Sequence, residues 1–281
     1  YLSTTIGAVE MLTKGCTACY DLMVEMPAPT ADGLEAAGRA YNDIGMRAMI
    51  APMVADKTLY EAIPGLMDVL TPGLRKDVEK LRLAPYQTSL KNIKKALLGW
   101  SLDPQLARLA IAPTIPLHCS DAFMKGCAEL AHEFNVGIHS HVAESKIQAV
   151  SGLKSYGKSL TAHLDDIGLL GPTFTVAHGV WLDDDDCRRL SDKGVSVAHN
   201  PGSNMRLGSG LADARGMLNW NLNVGIGTES PNYNLDDKHF IFDLIRKIVN
   251  AKNGGDKVVL WGDGNQTREL IFIDDAIDII L

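Results

Sequence analysis

Basic residues are in deficit. The 281-residue chain carries 27 Lys and Arg against 34 Asp and Glu, a formal net charge of −7. No basic block interrupts that balance, which argues against a binder of phosphate backbones. Cysteine is scarce and odd in number, with Cys16, Cys19, Cys119, Cys127 and Cys187 spread thinly. That pattern excludes the disulfide framework of a small secreted domain. No apolar run approaches a membrane span, and no basic segment followed by an apolar one opens the chain. A soluble, cytoplasmic setting without nucleic-acid or membrane partners is the expectation. No Gly-x-Gly-x-x-Gly follows the first expected strand, so a dinucleotide fold has no support there. Methionine is missing from position 1, and Tyr1 to Gly15 reads as helix interior, so the chain looks cut from something longer.

What is present is a core-forming composition, 46% hydrophobic and 22% charged, which rules out disorder, collagen and coiled coil. Short β-branched runs alternate with longer stretches of helical period. The pattern predicts strands starting at Cys16, Arg47, Arg108, Val136, Phe174, Val195 and Val224. Between them it predicts helices over Ser3–Lys14, Asp32–Ile44, Lys57–Leu70, Leu74–Leu83, Leu90–Leu98, Asp121–Phe134, Lys146–Tyr156, Thr161–Ile167, Asp183–Lys193 and Ala212–Leu222. Alternating βα units imply a parallel sheet, either doubly wound or closed into a barrel. Seven strands are one short of an eight-stranded barrel.

Five of the eight histidines fall at expected strand ends: His118, His139, His141, His178 and His199. Each alone reads as an ordinary core or loop histidine; together, at matching ends of different strands, they favour a site. His139 and His141 face the same way, because side chains on a strand alternate with period two. Glu144 lies just past the same strand. Imidazoles with a carboxylate form the ligand set of zinc or iron, and a glutamate beside activated water can carry a proton.

These residues resemble the amidohydrolase superfamily, in its branch of cytosine, guanine, adenosylhomocysteine and triazine aminohydrolases. The resemblance is carried by Pro113-Thr-Ile-Pro-Leu-His-Cys-Ser120, His139-Ser-His-Val-Ala-Glu144, Val176-Ala-His-Gly179, Val197-Ala-His-Asn-Pro201, Ser203-Asn-Met-Arg-Leu-Gly-Ser-Gly210 and Gly225-Ile-Gly-Thr228. It spans about residues 1–229 and implies an α/β fold, a (β/α)8 barrel here lacking its first strand. It implies hydrolysis at a carbon–nitrogen bond of a small-molecule substrate, with zinc or iron as cofactor. His141 would be the metal ligand of the fifth strand, Glu144 the proton shuttle, and His178 the residue that polarises or orients substrate. Glu229 stands where the family has an aspartate ligand. His118, His199 and Asn204 would line the substrate, the last in a glycine-bounded loop shared with Arg206. The family's first-strand His-x-His pair has no counterpart, so an impaired fragment is expected.

From about residue 230 to 281 the chain instead resembles nucleotide-sugar epimerases, especially GDP-fucose synthases. Pro231-Asn, a helix over Phe240–Lys252, a strand over Lys257–Trp261, Gly262-Asp-Gly264, Arg268-Glu269 and Asp274-Asp275 carry that likeness. The glycine-rich cofactor loop and Tyr-x-x-x-Lys pair of those enzymes are missing. The chain thus reads as two unrelated pieces joined near Glu229. An oxidoreductase fragment and an inactive chimera stand as alternatives to the aminohydrolase.

Three patterns read as structural. Cys16-Thr-Ala-Cys19 is expected to be a pair of core thiols. The acidic run Asp183–Asp186 opens a helix. Met46, Met49 and Met53 fit core packing.

Overall fold

The computed structural model describes residues 1–227. Three parallel strands open the chain's sheet: β1 (Ala18–Met23), β2 (Arg47–Val54) and β3 (Ala107–Leu109). The short β4 (Ala112–Pro113) also pairs with β2. A second sheet follows in the order β5 (Ile138–Val142), β6 (Phe174–His178), β7 (Ser196–His199) and β8 (Asn223–Ile226), again all parallel. The two are stitched at Ile111. Its N–H donates to the Gly137 carbonyl at 2.9 Å, and its carbonyl accepts from His139 N at 2.9 Å. Strand order therefore follows chain order apart from β3 and β4, which share β2 as partner, without the reversal of order that defines a doubly wound sheet. Among the described residues, β1 and β8 do not pair with each other.

Eleven helices are described: α1 (Leu2–Thr13), α2 (Ala31–Ile44), α3 (Leu66–Val69), α4 (Pro72–Glu79), α5 (Tyr86–Gly99), α6 (Asp121–Phe134), α7 (Lys146–Tyr156), α8 (Leu160–Asp166), α9 (Asp184–Asp192), α10 (Pro201–Leu207) and α11 (Ala214–Asn219). Their starts follow from sequence chemistry. The side chains of Thr30, Ser120, Ser145 and Ser159 each accept from an N–H in the first turn of α2, α6, α7 and α8. Such a cap is worth about 1 kcal/mol. Asp183 and Asp186 form a reciprocal capping box on α9, as the acidic run predicted. Asp165 on α8 accepts from Arg189 at 2.8 Å and Lys193 at 2.7 Å, and those cations hold its carboxyl below the usual range.

Alternation along the strands separates two faces. One packs on helices: Ile138, Val142, Phe174, Val176 and Val197 join Phe123, Cys127, Leu164 and Leu190 in the main core. Each such large side chain contributes about 1.5–3 kcal/mol on burial. The other face is narrower in volume. Tyr20, Leu22, Met49, Ala51, Met53, Ala110 and Ala112 cluster there. Strand register continues that face through His139 and His141, then Thr175 and Ala177, then Ser196 and Ala198.

Four sequence expectations need correction. The helix expected over Lys57–Leu70 is present only as Leu66–Val69, because Pro64 and Gly65 (φ +86) interrupt the segment. The strand expected from Arg108 divides into β3 and β4, since Ala110 and Ile111 bond in opposite directions, to Ile50 and Gly137. The loop expected around Asn204 is helix α10, with Pro201 at its start and left-handed Gly208 at its end. Cys16 is exposed rather than a core thiol, and Cys19 is only partly buried; both are free. Met46 is fully buried. Glu229 and the tail from about residue 230 lie outside the described residues.

Candidate active site

The site is built where β5 and β6 end. His141, on the inner face of β5, places Nδ1 2.5 Å from the Thr114 carbonyl oxygen. A carbonyl only accepts, so Nδ1 carries a proton, and in the neutral ring Nε2 is the acceptor nitrogen. A metal-ligating histidine is oriented in the same manner. His139, two residues earlier, is buried with its ring 4.8 Å from Tyr20 and 6.1 Å, edge-on, from His141.

His178 reaches the site by a different route. It pairs with Val142 in register, so simple alternation sends it to the helix-packed face with Val176. Its backbone is instead left-handed, φ +72, an uncommon conformation for a residue with a side chain. The turn brings its ring to 5.5 Å from that of His141. Its Nε2 lies 3.8 Å from Glu144 Oε1. The following Gly179, φ +59, donates to the Val142 carbonyl at 3.2 Å, and Trp181 N donates to the Ala143 carbonyl at 2.9 Å. The β5 and β6 loops are thereby tied together around the ring pair.

Two supporting residues escaped the sequence reading. Gln148 brackets Glu144: its Oε1 accepts from Glu144 N at 3.2 Å, and its Nε2 donates to Glu144 Oε2 at 3.4 Å. The signal was present in Ser145-x-x-Gln148, the spacing of a helix-start box. Thr114 acts through its carbonyl, which no side-chain motif announces.

The remaining candidates surround this pair. Asn204, fully buried, holds Oδ1 2.6 Å from His178 Nδ1. His118 ends the 3-10 turn Pro116–His118. Burial, then the charges of His141 and Lys57, lower its pKa to about 4. His199 is buried at the end of β7, and burial followed by the charge of His178 lowers its pKa too. Both rings are therefore neutral at pH 7. Glu229 lies outside the described residues.

The donor set can be tested against a metal. His141 has the right tautomer, but among the described residues no three His, Cys, Asp or Glu side chains group around a common point. A catalytic zinc takes about three protein ligands plus water, so residues 1–227 do not by themselves fit that requirement. A cavity of about 310 Å³ beside Gly179 is a separate feature. Its carboxylates are committed elsewhere: Asp183 and Asp213 accept from helix-start N–H groups, and Asp184 from Trp220 Nε1. Among the described residues, no helix is long and apolar enough to cross a membrane.

Comparison with known proteins bears on the family and the fold. A 5-methylthioadenosine/S-adenosylhomocysteine deaminase of Thermococcus kodakarensis is 34% identical over 249 residues, 87% of this chain and 52% of the relative. A 5'-deoxyadenosine deaminase of Methanopyrus kandleri is 33% identical over 233 residues, 82% of this chain and 47% of the relative. The chain spans about half the length of these relatives. Among solved structures, an adenosine deaminase from Xanthomonas campestris with bound zinc superposes with a TM-score of 0.68 at 22% identity, over 90% of this chain and 52% of that one. A triazine hydrolase from Arthobacter aurescens gives 0.69 at 22% identity, over 82% and 48%. At that identity the likeness shows the fold. The profile of the Amidohydrolase family matches residues 1–261, nearly the whole chain, and the protein belongs to that family.

Proposed function

We propose that this chain is part of an aminohydrolase that removes the amino group from an adenine-type nucleoside. The observation that carries the reading is the meeting of His141, His178 and Glu144 at the ends of two neighbouring strands, with His178 Nε2 3.8 Å from Glu144 Oε1. Relatives named as deaminases of 5-methylthioadenosine, S-adenosylhomocysteine and 5'-deoxyadenosine support the substrate class.

In this reading Glu144 moves a proton between water and the leaving amine, and Gln148 holds its carboxylate at the strand end. His178 orients the reacting group. His118 and His199, both neutral, and Asn204 border the substrate. A divalent cation, zinc or iron, would draw on His141 and on Glu229, which do not by themselves complete a ligand set; when bound it would supply Lewis acidity. Residues from about 230 to 281 carry the epimerase-like motifs, and the first part of that segment, to residue 261, also falls within the family profile.

The test is ammonia release by the 281-residue chain supplied with zinc, offered each of the three nucleosides. Slow release from at least one, absent in Glu144→Gln, is the expected result. No release from any of them, or release unaffected by that substitution, would refute the reading.

A further inference from the structure

We infer that Asn204 is a positioning residue for His178, fixing which ring nitrogen carries the proton and thereby making His178 an acceptor toward the reacting group. This rests on the aminohydrolase reading for its catalytic consequence, but not for its structural content.

The geometry is direct. Asn204 Oδ1 lies 2.6 Å from His178 Nδ1, and both residues are fully buried. An amide oxygen only accepts, so Nδ1 must donate. A neutral imidazole carries one N–H, so Nε2 then holds a lone pair. That nitrogen is the one that faces Glu144, at 3.8 Å. A donor at Nε2 would polarise a carbonyl or ring nitrogen. An acceptor there instead orients an N–H or O–H, such as the amino group to be lost or the attacking water. The tautomer thus decides which half of the reaction His178 serves.

Asn204 is itself held from both sides. Its N–H donates to the Asn200 carbonyl at 3.0 Å, and its carbonyl accepts from Ser209 N at 2.8 Å. Pro201 starts α10 and left-handed Gly208 ends it, so the whole short helix is fixed at each end. His178 is placed by its left-handed backbone, with Gly179 N donating to the Val142 carbonyl at 3.2 Å. One acceptor is thereby presented to one ring nitrogen, as orienting partners do for catalytic histidines generally.

Long-range proton–nitrogen spectra of the full chain labelled with 15N-histidine test this without any turnover. In the unaltered chain His178, assigned by His178→Gln, is expected to show a protonated Nδ1 and an unprotonated Nε2. Asn204→Ala should return the ring to the mixture of free imidazole, while Asn204→Asp, which keeps an acceptor, should retain the Nδ1 proton. In an active preparation, Asn204→Ala should lower kcat about 10- to 100-fold, part of what acid–base groups supply, with KM changed far less. An unprotonated Nδ1 in the unaltered chain, or a ring pattern indifferent to Asn204→Ala, would overturn the inference. A changed ring with unchanged kcat would overturn its catalytic part. If Asn204→Ala does not fold, the unaltered chain and Asn204→Asp still decide the matter. Failure of the nucleoside assay alone would strike the function reading and leave the ring assignment standing.

Discussion

His178 Nε2 and Glu144 Oε1 stand 3.8 Å apart although the two residues leave the sheet from different strands. That distance is beyond a direct hydrogen bond, and with Nε2 as an acceptor facing a carboxylate the two are joined only through a proton-bearing atom placed between them. Glu144→Gln keeps the shape and removes the titrating group. Ammonia release should fall by about 10²–10⁴-fold, while urea unfolding shifts by less than ~1 kcal/mol, because the Glu144 contacts to Gln148 are long. A variant that loses stability and activity together would point to a structural role instead.

His118 should make stability depend on pH. Its folded pKa is lowered to about 4 by burial first and then by His141 and Lys57, against about 6.5 in an unfolded chain. Between those values the unfolded state binds the extra proton, so stability falls as pH drops from 6.5 toward 4 and is fully present above 6.5. The loss is on the order of 2–3 kcal/mol. Denaturant titrations at several pH values should show His118→Gln flattening that slope; an unchanged slope would mean the ring is charged or exposed in the folded state.

Gly227 marks a close approach. A Cβ there would sit 2.2 Å from Asn200 Oδ1, a buried side chain with little room to swing, while Gly227 N already donates to the His199 carbonyl at 2.7 Å. Gly227→Ala should cost about 1–3 kcal/mol in thermal or urea unfolding. Adding Asn200→Ala should recover part of that loss, and the double-mutant cycle measures how much.

Among the described residues the Tyr20 hydroxyl is buried with no hydrogen-bond partner, against the His139 ring. An unmet hydroxyl in such a place costs about 1–3 kcal/mol. Tyr20→Phe removes the polar atom and keeps the ring, so the melting temperature should rise by a few degrees. A fall would show that a bridging water satisfies the hydroxyl.

Much of this fold was legible because its helix starts and its strand ends carry strong local chemistry. Asp121–Phe134 and Lys146–Tyr156 were read to the residue, since Ser120 and Ser145 sit at the caps. The His141 and Glu144 spacing likewise placed a carboxylate just past an inward-facing ring. His178 shows where such reading stops. Period two assigns it to the wrong face of β6, and only a left-handed backbone, which no residue type there announces, returns it to the site. The family resemblance puts Asn204 in a glycine-bounded loop, yet proline is favoured in a first helical turn and α10 forms. Lys57–Leu70 erred the opposite way: its apolar spacing suited a helix, and Pro64-Gly65 overruled it.

A strand order that nearly follows chain order has a consequence for biogenesis. Each new strand docks on one already made: β2 on β1, β3 and β4 on β2, β5 on the first sheet through Ile111, then β6, β7 and β8 each on the strand before it, so loop closure spans few units at a time. Such a sheet can be laid down in the direction of synthesis, because no strand waits for a partner made much later. At every stage a single fresh edge is open, and it is sealed by the next unit to emerge from the ribosome. The hazard of mispairing at that fresh edge therefore travels with the growing end. A pause in translation within the α6–β5 connection would hold that edge at Ile111, the narrow stitch between the two sheets.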